Sequence, residues 1–558
     1  MLKKNNHHHN LRDCPFGGIG GFVFLLIACC LFAPNTTAQR DTTKRQTIDI
    51  TSSYKPVLRN AVKINLSASP LAADSTRPRL AYNIPAQNLF FSYQPISLKP
   101  LALMQDTGLQ LGVRNYLKAG FGNFSTPYVA AAISGGDGEK KMLNLYANYI
   151  SSKGKITYQD FSEFKLKGKG SFFSDKRETY LGAGITESEY YQYGYNHNLL
   201  SFKKDSVRRR FRDFGVNAGI RNIAVNDLNV YYNPNVEAHV FSRQNKISES
   251  TLILDVPVEK KFGGSVSLKV DARADLTNFT NKTTSTDNKI TNNLFQISPE
   301  LIYYSDKFTF HGGITPAWDN GVSNILPNIY GEAQLQHKVV MVQAGWVGRF
   351  IQNNFRSLAG TNPYIRDPSF LKNTKEVQYY GGIKATLGKH FSFNAKASFI
   401  TYNNIPLFLN GFIDGQNIYV IYESKMNDLQ LHGDMSVVSQ DKFTLTAGLD
   451  LNTYTGLSAN KNAWGLIPVQ LTGSFRWNAF KQVLIKADLF AFSGVPTKFQ
   501  NTEKKLNGTD LSAGAEFKIT KKFSAWLDVN NILDSKYQRW NNYPVYGLNA
   551  IGGIIVHF

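Results

Sequence analysis

From Leu111 to the terminal Phe558 the chain alternates apolar and polar positions with a period of two. Phe391, Phe393, Ala395, Ala397 and Phe399 are apolar, and Ser392, Asn394, Lys396 and Ser398 between them are polar. Successive side chains of a β-strand point to opposite faces, so such a segment has one oily face and one wet face. Residues 266–276 repeat the pattern, with Ser267, Lys269, Asp271, Arg273 and Asp275 sharing the polar face, and residues 443–451 and 511–519 repeat it again. The reading is all-β.

The pattern yields 22 strand candidates in residues 111–558, joined by two classes of connection. One class is short and polar: 174–176, 226–227, 259–264, 305–307, 337–338, 388–389, 440–442, 478–481 and 520–522. The other is longer and rich in Asn, Thr, Ser, Gly and Pro: 193–207, 279–292, 351–373, 402–427, 493–509 and 533–546. With 402–427 taken as one excursion, short and long alternate along most of the chain. A transmembrane antiparallel up-and-down β-barrel has this asymmetry, with short periplasmic turns and longer external loops. A sandwich with Greek-key connections has no reason to keep that parity. Counting back from Phe558 gives an even strand number and puts both ends of the barrel on the periplasmic side.

Composition fits this picture. Aromatic residues make up 13% of the chain, with 28 Tyr and 38 Phe. Phe262, Phe308, Phe391, Phe443 and Phe523 each follow a turn lysine or histidine, beside the short turns where rings of an interfacial girdle belong. No apolar run beyond Ala38 approaches the about 20 residues of a spanning helix.

The first residues set the compartment. Lys3, Lys4 and Arg12 precede an apolar, small-residue stretch ending near Thr36-Thr37-Ala38, the layout of a cleaved signal peptide over residues 1–38. A lipoprotein signal is the competing reading, because Leu26-Ile27-Ala28 precedes Cys29. All three cysteines lie in or beside this segment, so cleavage after Ala38 leaves no disulfide framework.

The closing residues carry a family likeness. Asn531-Ile532-Leu533-Asp534-Ser535-Lys536-Tyr537 is followed by Pro544, Gly547 and a final strand in which Leu548, Ala550, Gly552, Ile554, Val556 and Phe558 share one face. This resembles the closing hairpin of TonB-dependent receptors, an Asn-Leu-Phe-Asp-x-x-Tyr stretch, a Pro and Gly loop, and a terminal strand ending in Phe. The resemblance implies an outer-membrane barrel over residues 111–558, with the terminal strand as the signal read by the barrel-assembly machinery. It also implies a plug domain before the barrel, far longer than the about 70 residues between Gln39 and Leu109. Residues 39–110, punctuated by Pro56, Pro70, Pro78, Pro85, Pro95 and Pro100, are therefore read as a short or vestigial periplasmic plug. Within them Thr47-Ile48-Asp49-Ile50-Thr51 is similar to a TonB box, the stretch that pairs with TonB as an added strand. A barrel of this size needs something in its lumen: inward-folded loops, residues 39–109, a partner protein or polar side chains. Residues 402–427, with their own apolar runs, are one candidate loop, or equally they extend two strands outward above the membrane.

Formal net charge is +21; removing residues 1–38 takes away Lys3, Lys4 and Arg12 against Asp13 and leaves +19. Lys203, Lys204, Arg208, Arg209 and Arg210 form the densest basic cluster, read in order as a contact for anionic lipid, a contact for anionic solute, or a simply solvated run. Export and the absence of a basic helix argue against nucleic acid. His197, His239, His311, His337, His390, His432 and His557 show no paired metal spacing, and neither a nucleophile elbow nor a phosphate loop occurs, so no catalytic, cofactor or metal site is expected. Two functions remain: solute passage or uptake across the outer membrane, with lipopolysaccharide and TonB among the partners, or a non-transporting barrel subunit of an export or assembly complex, held to another outer-membrane or periplasmic protein.

Overall fold

The computed structural model describes residues 115–558, apart from 225, 245, 284–287, 337–338, 389 and 440–441. The signal peptide, Cys29, Thr47 to Thr51 and the rest of residues 39–110 lie outside the described residues.

Twenty-two long strands pair antiparallel, each with the next, and the ring closes where Tyr116–Gly122 pairs with Asn549–His557, from Tyr116↔His557 to Gly122↔Ile551. A closed ring leaves no strand edge, which is what allows a sheet to stand in lipid. A short extra strand, Val230–Tyr232, adds to one turn by pairing with Ile247–Phe262.

The wall is inside-out relative to a soluble protein. In the strand Phe391–Asn403, Lys396 and Ser398 are 9% and 2% exposed, while Phe399 between the same strands is 46% exposed. In Val266–Asn281, Ser267, Asp275 and Thr277 are buried and Leu268 is exposed. A sandwich would turn these faces the other way, so the period-two pattern belongs to a wall whose oily side meets lipid. On the strand Arg208–Asn222 the outward positions Phe214, Val216, Ala218 and Ile220 make an apolar band. At about 3.3 Å per residue it is roughly 20 Å tall, close to what a bilayer core requires. Phe262, Phe308 and Phe523 are exposed at the short-turn rim, as a girdle requires.

Two expectations about connections change. Residues 493–509 form no long loop: Val483–Phe499 and Thr502–Lys518 continue as paired strands up to Phe499↔Thr502. Residues 279–292 behave alike, with Val266–Asn281 and Asn288–Tyr304 paired as far as Asn281↔Asn288. Strands that run beyond the lipid are solvated on both faces, so their composition looks like a loop's. Tight turns at 123–125 and 320–321 also stand on the long-loop rim, so the length alternation is incomplete there.

Candidate functional site

The long connections 154–159, 192–207, 352–373, 404–425, 456–468 and 531–548 all leave the same rim. They leave from widely separated places around the ring, yet they bond to one another, so the chain crosses the lumen and caps it. Gln159 Nε2 and Tyr193 Oη both donate to Pro544 O, at 2.9 and 2.8 Å. Gln192 Nε2 donates to Tyr364 O at 3.3 Å and to Asn417 Oδ1 at 2.9 Å, joining three loops. Ile418 N donates to Tyr364 O at 3.1 Å and Asn410 Nδ2 to Asn541 O at 3.0 Å.

Packing follows the same route. Tyr364 and Tyr543 stack with centroids 3.5 Å apart, and Tyr193 meets Tyr543 edge-on at 5.0 Å. All three rings come from different loops and are buried. Residues 404–425 fold as a hairpin, Ile405–Asn410 against Ile418–Glu423, which is a sheet separate from the wall. Phe408 and Ile418 carry it into the same apolar cluster. The stretch is thus both a two-stranded hairpin and part of the packed loop cluster, and several other loops join it.

A short helix, Phe355–Thr361, docks on the inner wall. Asn354 and Ser357 form a capping box, and the Glu249 carboxylate, from the strand Ile247–Phe262, accepts Phe355 N at 2.6 Å and Arg356 N at 3.0 Å. Backbone N–H groups at a helix start lack intrahelical partners, and a carboxylate satisfies them while complementing the helix dipole. Phe355 packs among Phe211, Phe241 and Phe279, contributed by three wall strands, at 6.2, 5.4 and 5.4 Å.

Charge ties the cap further. Arg243 Nη2 of the wall meets Asp367 Oδ2 of the cap at 2.8 Å. Burial pushes the Asp367 carboxyl above its ordinary value, against the opposing pull of Arg243, Arg209 and Arg366. Arg539 is fully buried, donates Nη2 to Gly465 O at 3.0 Å and lies 4.1 Å from the Trp540 ring centre. Burial lowers its guanidinium to about 9, still cationic at neutral pH. Glu423 accepts Ser458 N, Ala459 N and Asn460 N at 3.0, 2.9 and 2.8 Å. Burial acts to raise Glu423, and the hydrogen bonds from Asn460, Ser458, Ala459 and Lys425 outweigh it, so its carboxyl falls to about 2.

The closing motif is a scaffold for this cap. Asn531 Nδ2 donates to Ser535 O and Tyr546 O, both at 2.8 Å, and Tyr537 Oη donates to Asp510 Oδ2 at 3.0 Å. Asp534 Oδ1 accepts Leu548 N at 2.8 Å, and a Cβ on Gly547 would stand 2.2 Å from that same oxygen. Only glycine fits beside the carboxylate. Leu533 is exposed. In the terminal strand Leu548, Ile554 and Phe558 are exposed and Ala550, Gly552 and Val556 half-buried, while Ile551 and Ile555 are buried against the inner side.

The basic cluster divides. Arg208, Arg209 and Arg210 lie in a strand, so alternation sends Arg209 inward, where Nη2 donates to Asn417 Oδ1 at 3.3 Å, and turns Arg208 and Arg210 outward with Arg212. Lys203 is exposed and Lys204 pairs with Asp160 at 2.9 Å. Sequence reasoning passed over Arg212, Arg243, Glu249, Asp367, Glu423 and Arg539. For Arg212 the period-two register was a sufficient signal. The others act through contacts distant in sequence.

No protein-family model and no curated protein matches the chain. Solved structures do. The FrpB iron transporter of Neisseria meningitidis is 13% identical, with TM-score 0.62 and 83% of each chain covered. FpvA of Pseudomonas aeruginosa, solved bound to heterologous pyoverdines, is 13% identical, with TM-score 0.59, 80% of this chain and 71% of that one. The ferric enterobactin receptor PfeA of Pseudomonas aeruginosa is 12% identical, with TM-score 0.58 and 80% of each chain. At such identities the likeness is one of architecture: the chain has the closed 22-strand antiparallel barrel of TonB-dependent receptor structures.

Proposed function

We propose that this chain is an outer-membrane uptake barrel whose outer mouth is closed by its own loops and opens to admit a solute. The observation that carries the reading is the cap itself: buried aromatic rings from separate loops, joined to an inside-out wall, at the rim opposite the short turns. The lumen wall suits a hydrated path, because inward charges are paired rather than removed, as in Arg476 with Asp488 at 3.0 Å and Lys486 with Asp528 at 2.8 Å. The likeness to an iron transporter and to a ferric enterobactin receptor makes ferric chelates the first solutes to test. In this reading a signal peptide over residues 1–38 directs export. Residues 39–110 then lie on the periplasmic side as a short plug, with Thr47 to Thr51 offered to TonB.

The test is conductance of the purified protein in a planar bilayer. Discrete channels that widen on deleting the cap helix (residues 354–362), and again on deleting residues 41–106, support a path occluded from both sides. A barrel that stays silent in every form defeats uptake. A second reading, a non-transporting subunit of an export or assembly complex, draws on how firmly the cap is bonded to the wall at Glu249 and Arg243. It expects silence together with a fixed co-purifying partner.

A further inference from the structure

Arg208, Arg210 and Arg212 stand on the outward face of one strand, immediately beyond the apolar band that begins at Phe214. Successive outward positions are about 6.6 Å apart, so the three guanidiniums make a ladder roughly 13 Å long up the wall. Two glutamates of the neighbouring strand Arg177–Tyr191 hold them in place. Glu187 Oε1 accepts Arg210 Nε and Nη2 at 2.8 and 2.5 Å, Glu187 Oε2 accepts Arg212 Nε and Nη2 at 3.0 and 2.9 Å, and Glu189 Oε2 accepts Arg208 Nε and Nη2 at 3.0 and 2.6 Å. Each guanidinium thus commits its Nε and Nη2 edge to a carboxylate and keeps its Nη1 amino group for another acceptor.

Beside the ladder is a groove of about 300 Å³ lined by Asp205, Arg208, Arg210, Arg212, Ser242 and Gln244. The three guanidiniums are matched in charge by Glu187, Glu189 and Asp205, and the exposed Lys203 stands two residues from Asp205. Of the adjoining outward positions at this height, Ser162 opposite Glu189 and Ser242 opposite Arg212 are neutral, and Asp160, two residues from Ser162, is paired with Lys204 at 2.9 Å. The remaining guanidinium amino groups therefore sit where a lipid headgroup meets the protein. It is turned away from the lumen, so a solute passing through the barrel would not meet it.

We propose that this groove binds a phosphate group of lipopolysaccharide, with the acyl chains lying over Phe214 and Val240 below it. The inference rests on the outer-membrane placement above and not on transport. Guanidiniums held in place by carboxylates each keep an Nη1 amino group, so three cationic donors in fixed positions can converge on phosphate oxygens, shielded from water on the lipid side. Exposed ion pairs by themselves add little to stability, which leaves recognition as the role of the ladder.

The experiment measures lipopolysaccharide retained per barrel after the full-length protein is extracted from outer membranes, for the wild type and for the double variant Arg210→Gln/Arg212→Gln. Gel mobility with and without heating reports whether each is folded. The proposal expects the folded variant to retain about tenfold less of the tightly held lipid, equivalent to roughly one charge-assisted hydrogen bond, and Arg210→Lys/Arg212→Lys to retain an intermediate amount. With the wild type alone, phosphorylated lipid A should rebind to stripped protein, and neither its dephosphorylated form nor millimolar inorganic phosphate should compete. Equal retention by wild type and glutamine variant overturns the proposal, as does rebinding of dephosphorylated lipid A. Displacement by inorganic phosphate would mark a free-anion site and overturn the lipid assignment. Absence of the wild type from the outer-membrane fraction would instead defeat the placement on which the proposal rests.

Discussion

The wall and the cap are built by opposite rules. Along the wall each residue's environment follows from its parity: Phe399 meets lipid because Ser398 and Ile400 beside it face inward. In the cap no such rule operates. Tyr193 is buried because Tyr364 and Tyr543, far away in the chain, arrive beside it. A wall position can be altered with local consequences, whereas a cap position holds several loops at once. The wall therefore carries stability in lipid, and in the uptake reading proposed above the cap is the part that opens.

The sharpest way to break this contrast is Tyr543→Ala. It removes the ring that stacks on Tyr364 and meets Tyr193, along with its hydroxyl's bond to Gln416 O, and should cost cap docking about 3–5 kcal/mol. Hydrogen exchange should rise in 192–207, 352–373 and 531–548 together, with the barrel's heat-modifiable mobility unchanged. Protection that stays the same in the first two loops would mean that the cap is not one unit. On the wall, Leu431→Arg places a charge on an outward face near the middle of Met426–Ser439 and should cost about 2–4 kcal/mol in denaturant titrations of folding into vesicles. If it is tolerated, the outward face does not meet lipid.

Glu249→Gln tests the join between the two regions. It keeps the shape and removes the charge that accepts Phe355 N and Arg356 N, for an expected loss of about 1–3 kcal/mol confined to the helix Phe355–Thr361. Exchange of the helix amides should rise and that of the wall strand should not. The last effect expected is pH-dependent. Glu423 falls from an ordinary 4.5 to about 2 on folding, so its contribution is complete above pH 4.5 and is lost as the pH drops towards 2. Trp464, buried in the loop that Glu423 holds, should change fluorescence over that acid window in the wild type and not in Glu423→Gln.

The strands, their number and the oily face were readable because alternation is a local signal that any one strand carries alone. The contacts of Asn531, Asp534 and Gly547 lie within one loop, so they are close in sequence as well as in space. Residues 493–509 were misread for a physical reason: above the lipid both strand faces are wet, and Thr497, Lys498, Glu503 and Lys504 obey no oily parity. The basic run was read as a patch although its own register divides it, with Arg209 inside and its neighbours outside. What stayed hidden was the cap, because Gln159 with Pro544 or Arg243 with Asp367 leave no mark on their local sequence.

The seam between Tyr116–Gly122 and Asn549–His557 has a consequence for biogenesis. Every other pair of neighbouring wall strands is joined by one connection, while this pair is separated by almost the whole barrel. Until the two meet, the sheet is an open ribbon with two adhesive margins, each able to capture a strand from another molecule. Closure is thus a late, single event with very high sequence separation, slow by the entropy of bringing the two ends together. Until that event the unfinished ribbon depends on its host to shield both margins.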